Sequence, residues 1–326
     1  MAILRCNKCG HVAEALGEHA GKSIACPNCG NEVQVYDTVL FVRKVLQQYF
    51  ALQEETVRLR AQIPATDTAT ATPSATGFDI HNTAHLASDA QHTHILQWFQ
   101  RRQVQVRTNP KAVDTTGFFD DVAVELGDNY ALLRDVVDKI RWGQSKDVPN
   151  FSLNLSKHSQ KDGQAINAFC KQLYDYSFLA KYFYQKQEKI GRATIQSVPA
   201  VRSFFAGEWL EWYAFMKLLA LFGEKGREFS CTRNLSVVFP NEDLHELDVF
   251  FLVDGDTPVC IECKTGEFRQ DIDKYLTLRK RLGIDRSQFI LCVTGLTDEQ
   301  AAGLTSMYEL TFVNQDGLVP HLSKLF

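Results

Sequence analysis

No run of about 18 apolar residues occurs in the 326-residue sequence. A secretory leader is missing as well, so neither a membrane-spanning nor an exported chain is expected. Positive charge is not in excess. The 35 Lys and Arg residues against 39 Asp and Glu leave a formal net charge of −4, which excludes a uniformly basic coat for nucleic acid. Any such contact must come from a local patch. With 45% apolar and 23% charged residues, the expectation is a soluble cytoplasmic protein of two domains, or one domain with appendages, and no membrane partner.

Cysteine is not scarce, and its placement is informative. Four of the nine cysteines fall as Cys6-x-x-Cys9 and Cys26-x-x-Cys29, with sixteen residues between the pairs, the spacing of a four-thiolate zinc site. Gly10 and Gly30 follow the pairs and let the backbone amides turn back toward the sulfurs. A zinc ribbon over 1–36 is expected, with a redox dithiol pair as the alternative. Four thiolates leave no open coordination position, so this zinc is structural. Arg5, Lys8, His11, His19 and Lys22 allow the ribbon either a nucleic-acid role or one in folding alone. Cys170, Cys231, Cys260, Cys263 and Cys292 sit in apolar patterns and read as small buried hydrophobes.

The segment 37–63 reads as a helix. Val35, Val42, Val45, Tyr49, Leu52, Thr56 and Leu59 keep heptad spacing, which suits a coiled-coil homodimer through 37–60 or a helix packed on its own chain. The Thr/Ala/Pro/Ser tract 64–77 reads as a flexible linker. The region 78–199 reads as mainly helical, over 92–102, 119–142 and 164–190, with one short strand at 151–155. Aromatics interleaved with lysines in the last of these helices are read as core packing rather than as a stacking platform. His81, His85, His92 and His94 are read as surface residues.

Two apolar runs, 246–253 and 259–264, flank the turn residues Asp254-Gly255-Asp256-Thr257-Pro258 and read as a buried hairpin. Three charges interrupt it. Asp248 opens the first strand, and Glu262 and Lys264, two apart, share a face of the second. Singly, each fits a strand cap or a salt bridge at a strand end. Together, in strands where unpaired charge is costly, they are the parts of a hard-cation site with an ammonium beside it. Periodicity gives a helix after residue 200, strands at 229–239 and in the hairpin, a helix over 270–282, a strand at 288–293 and a helix over 298–308. Lys274, Arg279, Lys280, Arg281 and Arg286 form the densest positive cluster, which suits either phosphate binding or a solvated helix face.

Asp248 and, fourteen positions on, Glu262-Cys263-Lys264 resemble the PD-(D/E)XK nuclease signature. The wording Glu-Leu-Asp and then Glu-Cys-Lys-Thr-Gly is similar to the nuclease domain of CRISPR-associated ancillary nucleases activated by cyclic oligoadenylate. Gly207-Glu208-Trp209-Leu210-Glu211 resembles the family's first helix. The resemblance covers about 200–310. It implies an α/β fold with a restriction-endonuclease-like αβββαβ core in 200–326. It also implies Mg²⁺ or Mn²⁺ held by Asp248, Glu262 and the Cys263 carbonyl, with Glu211 in support and Lys264 positioning the attacking water.

The implied activity is that of a metal-dependent endonuclease acting on nucleic acid, DNA favoured, in anti-phage defence. The alternatives are an RNase of the same fold, or a zinc-ribbon binding module for nucleic acid or protein on an inactive scaffold. The sensor domain of those nucleases has no counterpart in this sequence, which leaves the activator or protein partner unknown.

Overall fold

The computed structural model describes residues 2–6, 8–38, 89–109, 117–241 and 243–326. The expected helix 37–63 lies outside the described residues beyond Thr38, as do the linker 64–77, His81 and His85. The homodimer expected through that helix lies outside them too. The chain divides into two compact units, one of which holds the described residues up to Thr38 and the other those from Asp89 to Phe326. No described helix is long and apolar enough to cross a membrane.

The first unit is a four-stranded antiparallel sheet of β1 (Ala2–Arg5), β2 (Val12–Ala15), β3 (Ser23–Ala25) and β4 (Glu32–Asp37), in the order β2-β1-β4-β3. Strict alternation turns Ala2 and Leu4 of β1, and Val33 and Val35 of β4, to one face. These four residues, with Cys6 and Cys26, are its buried core among the described residues. So small a core stabilises little by itself, and a metal staple is the usual supplement.

The second unit is mixed α/β. A six-stranded sheet runs in the order β13-β12-β11-β10-β9-β5. Its strands are β5 (Gln105–Arg107), β9 (Phe229–Val238), β10 (Leu244–Val253), β11 (Thr257–Lys264), β12 (Phe289–Val293) and β13 (Thr311–Val313). The hairpin β10–β11 and its neighbours β9 and β5 pair antiparallel, while β11–β12 and β12–β13 pair parallel. One face carries α6 (Trp209–Glu224), a helix buried almost all round. The other carries α1 (Asp89–Gln100) and α7 (Ile272–Leu282). Trp98 and Phe99 of α1 meet Phe250 at ring-centroid distances of 5.5 and 5.0 Å, each burial contributing about 1.5–3 kcal/mol. The order helix, three strands, helix, strand is seen in α6, β9, β10, β11, α7 and β12, followed by α8 (Asp298–Met307), β13 and α9 (Leu318–Ser323).

The region expected to be mainly helical departs from that reading. α2 (Phe118–Asp128), α3 (Tyr130–Lys146) and α4 (Gln160–Asp175) form, but 179–195 is a hairpin of β7 (Leu179–Gln185) and β8 (Ile190–Ile195). With β6 (Asn150–Asn154) it makes a second sheet, ordered β6-β8-β7. The expected helix 164–190 fails for a simple reason. Tyr174, Phe178 and Tyr182 stand four apart and mimic helical spacing, yet Ser177 takes a left-handed φ of 63° and ends the helix between them.

The boundary expected at 199/200 is also not a division of the core. One continuous apolar cluster joins α2, α3 and α4 to α6 and to strands β9–β11. The short α5 (Pro199–Ser203) and a π turn at Phe204–Glu208 lead straight into α6. His92, expected at the surface, is buried in α1.

Candidate active site

A converging group of metal-ligand side chains lies in the ribbon, and a set of buried acidic side chains lies in the second unit. In the ribbon, Gly10 and Gly30 take left-handed φ values of 73° and 69° and donate to the Cys6 and Cys26 carbonyls at 2.8 and 2.9 Å. These tight turns bring Cys6 Sγ to 3.5 Å from Cys29 Sγ, and Cys9 Sγ to 3.7 Å from Cys26 Sγ, with all four sulfurs within 4.8 Å of one another. A tetrahedral zinc with Zn–S of about 2.3 Å needs sulfur–sulfur edges of about 3.8 Å. The backbone N–H of His11 and then the side chain of Asn28 hold the Cys9 thiol down to about 6. The thiolate is thereby favoured at Cys9, while the neighbouring thiols push Cys29 up to about 12, and four converging sulfurs fit a metal such as zinc, whose charge would hold them all as thiolates. Among the described residues it is the only cluster of three or more His, Cys, Asp or Glu side chains with this convergence.

The second site forms where the large sheet comes apart. β9 and β10 both turn their side chains over at one point. Val249 and Phe251 face the α6 core, but Leu247, which regular alternation would place beside them, lies in the opposite core. On β9, Cys231 and Leu235 are divided in the same way. The pivot is Asn234, with a left-handed φ of 49°, which stands across from Asp248 between the pairs Leu247↔Leu235 and Val249↔Arg233. Consecutive residues Arg233 and Asn234 can therefore both reach the α6 side. Their side chains donate to the same Glu211 oxygen at 3.0 and 3.1 Å. The Arg233 guanidinium also lies 3.6 Å from the centroid of the Trp212 ring.

At the same level β11 leaves β10. Their ladder reaches Val249↔Ile261, whereas Glu262, Cys263 and Lys264 pair with β12. In the gap, the Asp248 carboxylate accepts from the Cys263 backbone N–H at 2.7 Å. Glu262 is 2% exposed, and its Oε1 meets no hydrogen-bond donor among the described residues. Tyr275 of α7, fully buried, lies under the ammonium groups of Lys264 and Lys274, 5.6 and 5.5 Å from its ring centroid. Gly207 is where the π turn passes close to the end of β11: a Cβ there would come within 3.0 Å of the Thr265 hydroxyl.

Burial is the first cause that raises the proton affinity of all three acidic side chains, and the charge of Asp248 adds to it at Glu211 and Glu262. Burial, and then the charge of Asp248, push the Glu211 carboxyl up to about 8, against the pull of Arg233 and Asn234. Burial and then Asp248 raise Glu262 far above the usual carboxylate range, opposed by Lys264 and Lys274. Asp248 itself is raised by burial, with the Cys263 N–H and Lys264 pulling the other way. Desolvated carboxyl groups that repel one another, one with an unmet buried oxygen, suit a divalent cation, which would cancel the repulsion and take the free lone pairs.

Of the residues singled out from sequence, Asp248, Glu262, Lys264 and the Cys263 backbone come together in this gap, with Glu211 on its α6 side. The basic residues of α7 divide. Arg279 and Lys280 pair with Glu309 at 3.1 Å each, and Arg281 pairs with Asp243 at 2.8 Å. Lys274 remains beside the site, on a cleft it shares with His245 and Arg281. Arg233, Asn234 and Tyr275 were not singled out. The charged and amide pair Arg233-Asn234 in the middle of a strand of otherwise apolar and small hydroxyl residues was the available signal.

No family model and no curated protein matches the chain. Among solved structures it is similar to protein VC1899 from Vibrio cholerae, with 19% identity and a TM-score of 0.49, covering 71% of this chain and 60% of that one. It is also similar to Can2 from Sulfobacillus thermosulfidooxidans in complex with cyclic tetra-adenylate, with 16% identity and a TM-score of 0.48, covering 71% of this chain and 59% of that one. The chain thus spans about 60% of the length of these two proteins, and likeness at this level transfers no activity.

Proposed function

We propose that the second unit is a metal-dependent phosphodiesterase acting on nucleic acid, DNA favoured, with a PD-(D/E)XK active site at the parting of β10 and β11. The observation that carries this reading is Glu262: a fully buried carboxylate with an unmet oxygen, set beside Asp248 and two residues before Lys264. A retired scaffold has no physical reason to keep such charges in Val/Ile/Phe strands.

Asp248, Glu262 and the Cys263 carbonyl would hold Mg²⁺ or Mn²⁺. When bound, the ion supplies Lewis-acid polarisation of the scissile phosphate and favours an ionised nucleophilic water. The chain's own groups do the rest. Lys264 orients the attacking water and offsets charge that develops on the phosphoryl oxygens. The Cys263 N–H fixes the Asp248 carboxylate. Arg233 and Asn234 fix Glu211 at the α6 side of the gap, where it can accept a hydrogen bond from water. The four-cysteine cluster would hold a structural zinc and take no part in this chemistry.

The test is cleavage of labelled single- and double-stranded DNA and RNA with Mg²⁺ or Mn²⁺, comparing the wild type with Asp248→Ala and Lys264→Ala. The expected result is metal-dependent cleavage that both substitutions remove. Cleavage that survives both would refute the assignment.

A further inference from the structure

The three-stranded sheet has one covered face and one open face, and the open face has a composition that core packing does not explain. Alternation sends Leu153, Ala193 and Ile195 inward to the apolar core and sends Asn150, Ser152, Lys181, Phe183 and Arg192 outward. The outward residues line a groove of about 680 Å³, bounded by Tyr174 at the end of α4. Phe183 is 63% exposed and Tyr174 46% exposed, so two aromatic rings stand in water within one groove.

The charge of this groove departs from that of the chain. No Asp or Glu lines it. The hairpin 179–195 holds Lys181, Lys186, Lys189 and Arg192 against Glu188, three positive charges in excess in a chain of net charge −4. Arg192 is oriented across the strands by the Gln185 side-chain carbonyl at 2.9 Å, with Glu188 at 3.9 Å. Lys181 has no ionic partner among the described residues. Asn150, Ser152 and Thr194 add neutral donors and acceptors to the lining.

We infer that this open face binds single-stranded nucleic acid, with bases stacked on Phe183 and Tyr174 and the backbone phosphates held by Lys181 and Arg192. A stacked base needs a free aromatic face, which an unpaired strand can meet and a duplex cannot. Cations flanking the rings, without carboxylates between them, complement a phosphate chain. The inference goes beyond the hydrolytic reading and does not depend on it, because the groove and the parting of β10 and β11 share no residue.

Binding is measured on the full chain carrying Lys264→Ala, so that hydrolysis does not consume the probe, by fluorescence anisotropy with labelled dT12 and rU12. A 12-base-pair DNA duplex and an acidic peptide of equal charge serve as competing probes. Single strands are expected to bind most tightly. Phe183→Ala should weaken them about 5- to 150-fold, while Phe183→Trp should retain affinity. Lys181→Ala should lower the salt slope by about 0.7. The exposed positions of Phe183 and Lys181 make these variants tolerable to the fold, and an unchanged melting curve confirms it.

Affinity for dT12 and rU12 that is unchanged in both Phe183→Ala and Lys181→Ala would overturn the inference. So would a preference for the duplex or the peptide, or the absence of binding to every probe. Cleavage of bis(p-nitrophenyl) phosphate by the Lys264-intact chain separates the two readings. That diester is too small to need a groove that shares no residue with the parting of β10 and β11, so Phe183→Ala leaves its hydrolysis unchanged while Asp248→Ala removes it.

Discussion

Four cysteines meet across two tight turns in the ribbon, whereas Asp248, Glu262 and Lys264 meet where two strands of a larger sheet separate. The first cluster is soft and self-contained: four thiols, in two pairs each four residues long, converge as a metal such as zinc requires, and four such ligands would leave no open position for a substrate. The second is hard and lies at the end of a strand ladder: Asp248 accepts from the Cys263 N–H, and the buried Glu262 Oε1 has no hydrogen-bond partner among the described residues. Ligand chemistry and coordination vacancy thus divide the work. A thiolate site would stabilise a sheet whose described core is six residues, while buried carboxyl groups raised by desolvation are what a divalent ion would relieve.

If the two clusters are separate in this way, substitutions should separate them. The largest effect is expected from Cys6→Ser. Structural zinc contributes about 10–16 kcal/mol of apparent binding energy in small metal-folded domains, so zinc content should fall and the ribbon's melting transition should disappear, while hydrolysis of bis(p-nitrophenyl) phosphate stays at the wild-type rate. Metal analysis and a turnover assay on one preparation check both halves. One zinc per chain retained in the variant would break the comparison from the ribbon side.

Arg233→Met comes next. It leaves the Glu211 carboxyl, 14% exposed, without its guanidinium donor, and a buried acceptor left without its donor costs about 1–3 kcal/mol. A lower melting temperature of the second unit is expected, with part of the loss recovered when Glu211→Gln is added, which a double-mutant cycle would read.

Lys264→Ala leaves the fold intact and should lower cleavage about 10²–10³-fold, the scale of losing one charge-stabilising group at a phosphoryl transition state, with zinc content unchanged. The smallest effect concerns pH. Because burial and mutual repulsion raise Glu211 from 4.5 to about 8, the folded state binds more protons than the unfolded chain in that interval. Its contribution to stability is therefore present below about 4.5 and is lost as pH rises through about 8. Melting temperature measured without added Mg²⁺ should fall across this interval, and less steeply in Glu211→Gln. Equal slopes would remove Glu211 from the electrostatic account.

What could be read from the sequence follows the same division. The zinc cluster depends on spacing within short turns, and Cys-x-x-Cys-Gly encodes both ligands and the left-handed glycine that lets them converge. Asp248, Glu262 and Lys264 were readable because charge is conspicuous in apolar strands. Their surroundings were not. Arg233 and Asn234 act through a turnover of side-chain facing that depends on Asn234 adopting φ 49°, and no periodicity announces such a pivot. The cluster expected on α7 was diluted by partners far along the chain, Glu309 and Asp243. The hairpin β7–β8 was hidden because its aromatics continue the four-residue spacing of α4 past Ser177.

Whether the parting of β10 and β11 holds a divalent ion is read by Mn²⁺ titration followed through the EPR signal of free Mn²⁺. Wild type should deplete the free signal, and the Glu262→Gln chain, which keeps the shape but loses the buried charge, should leave it near the protein-free value at unchanged zinc content. Equal Mn²⁺ uptake by both proteins would contradict the account.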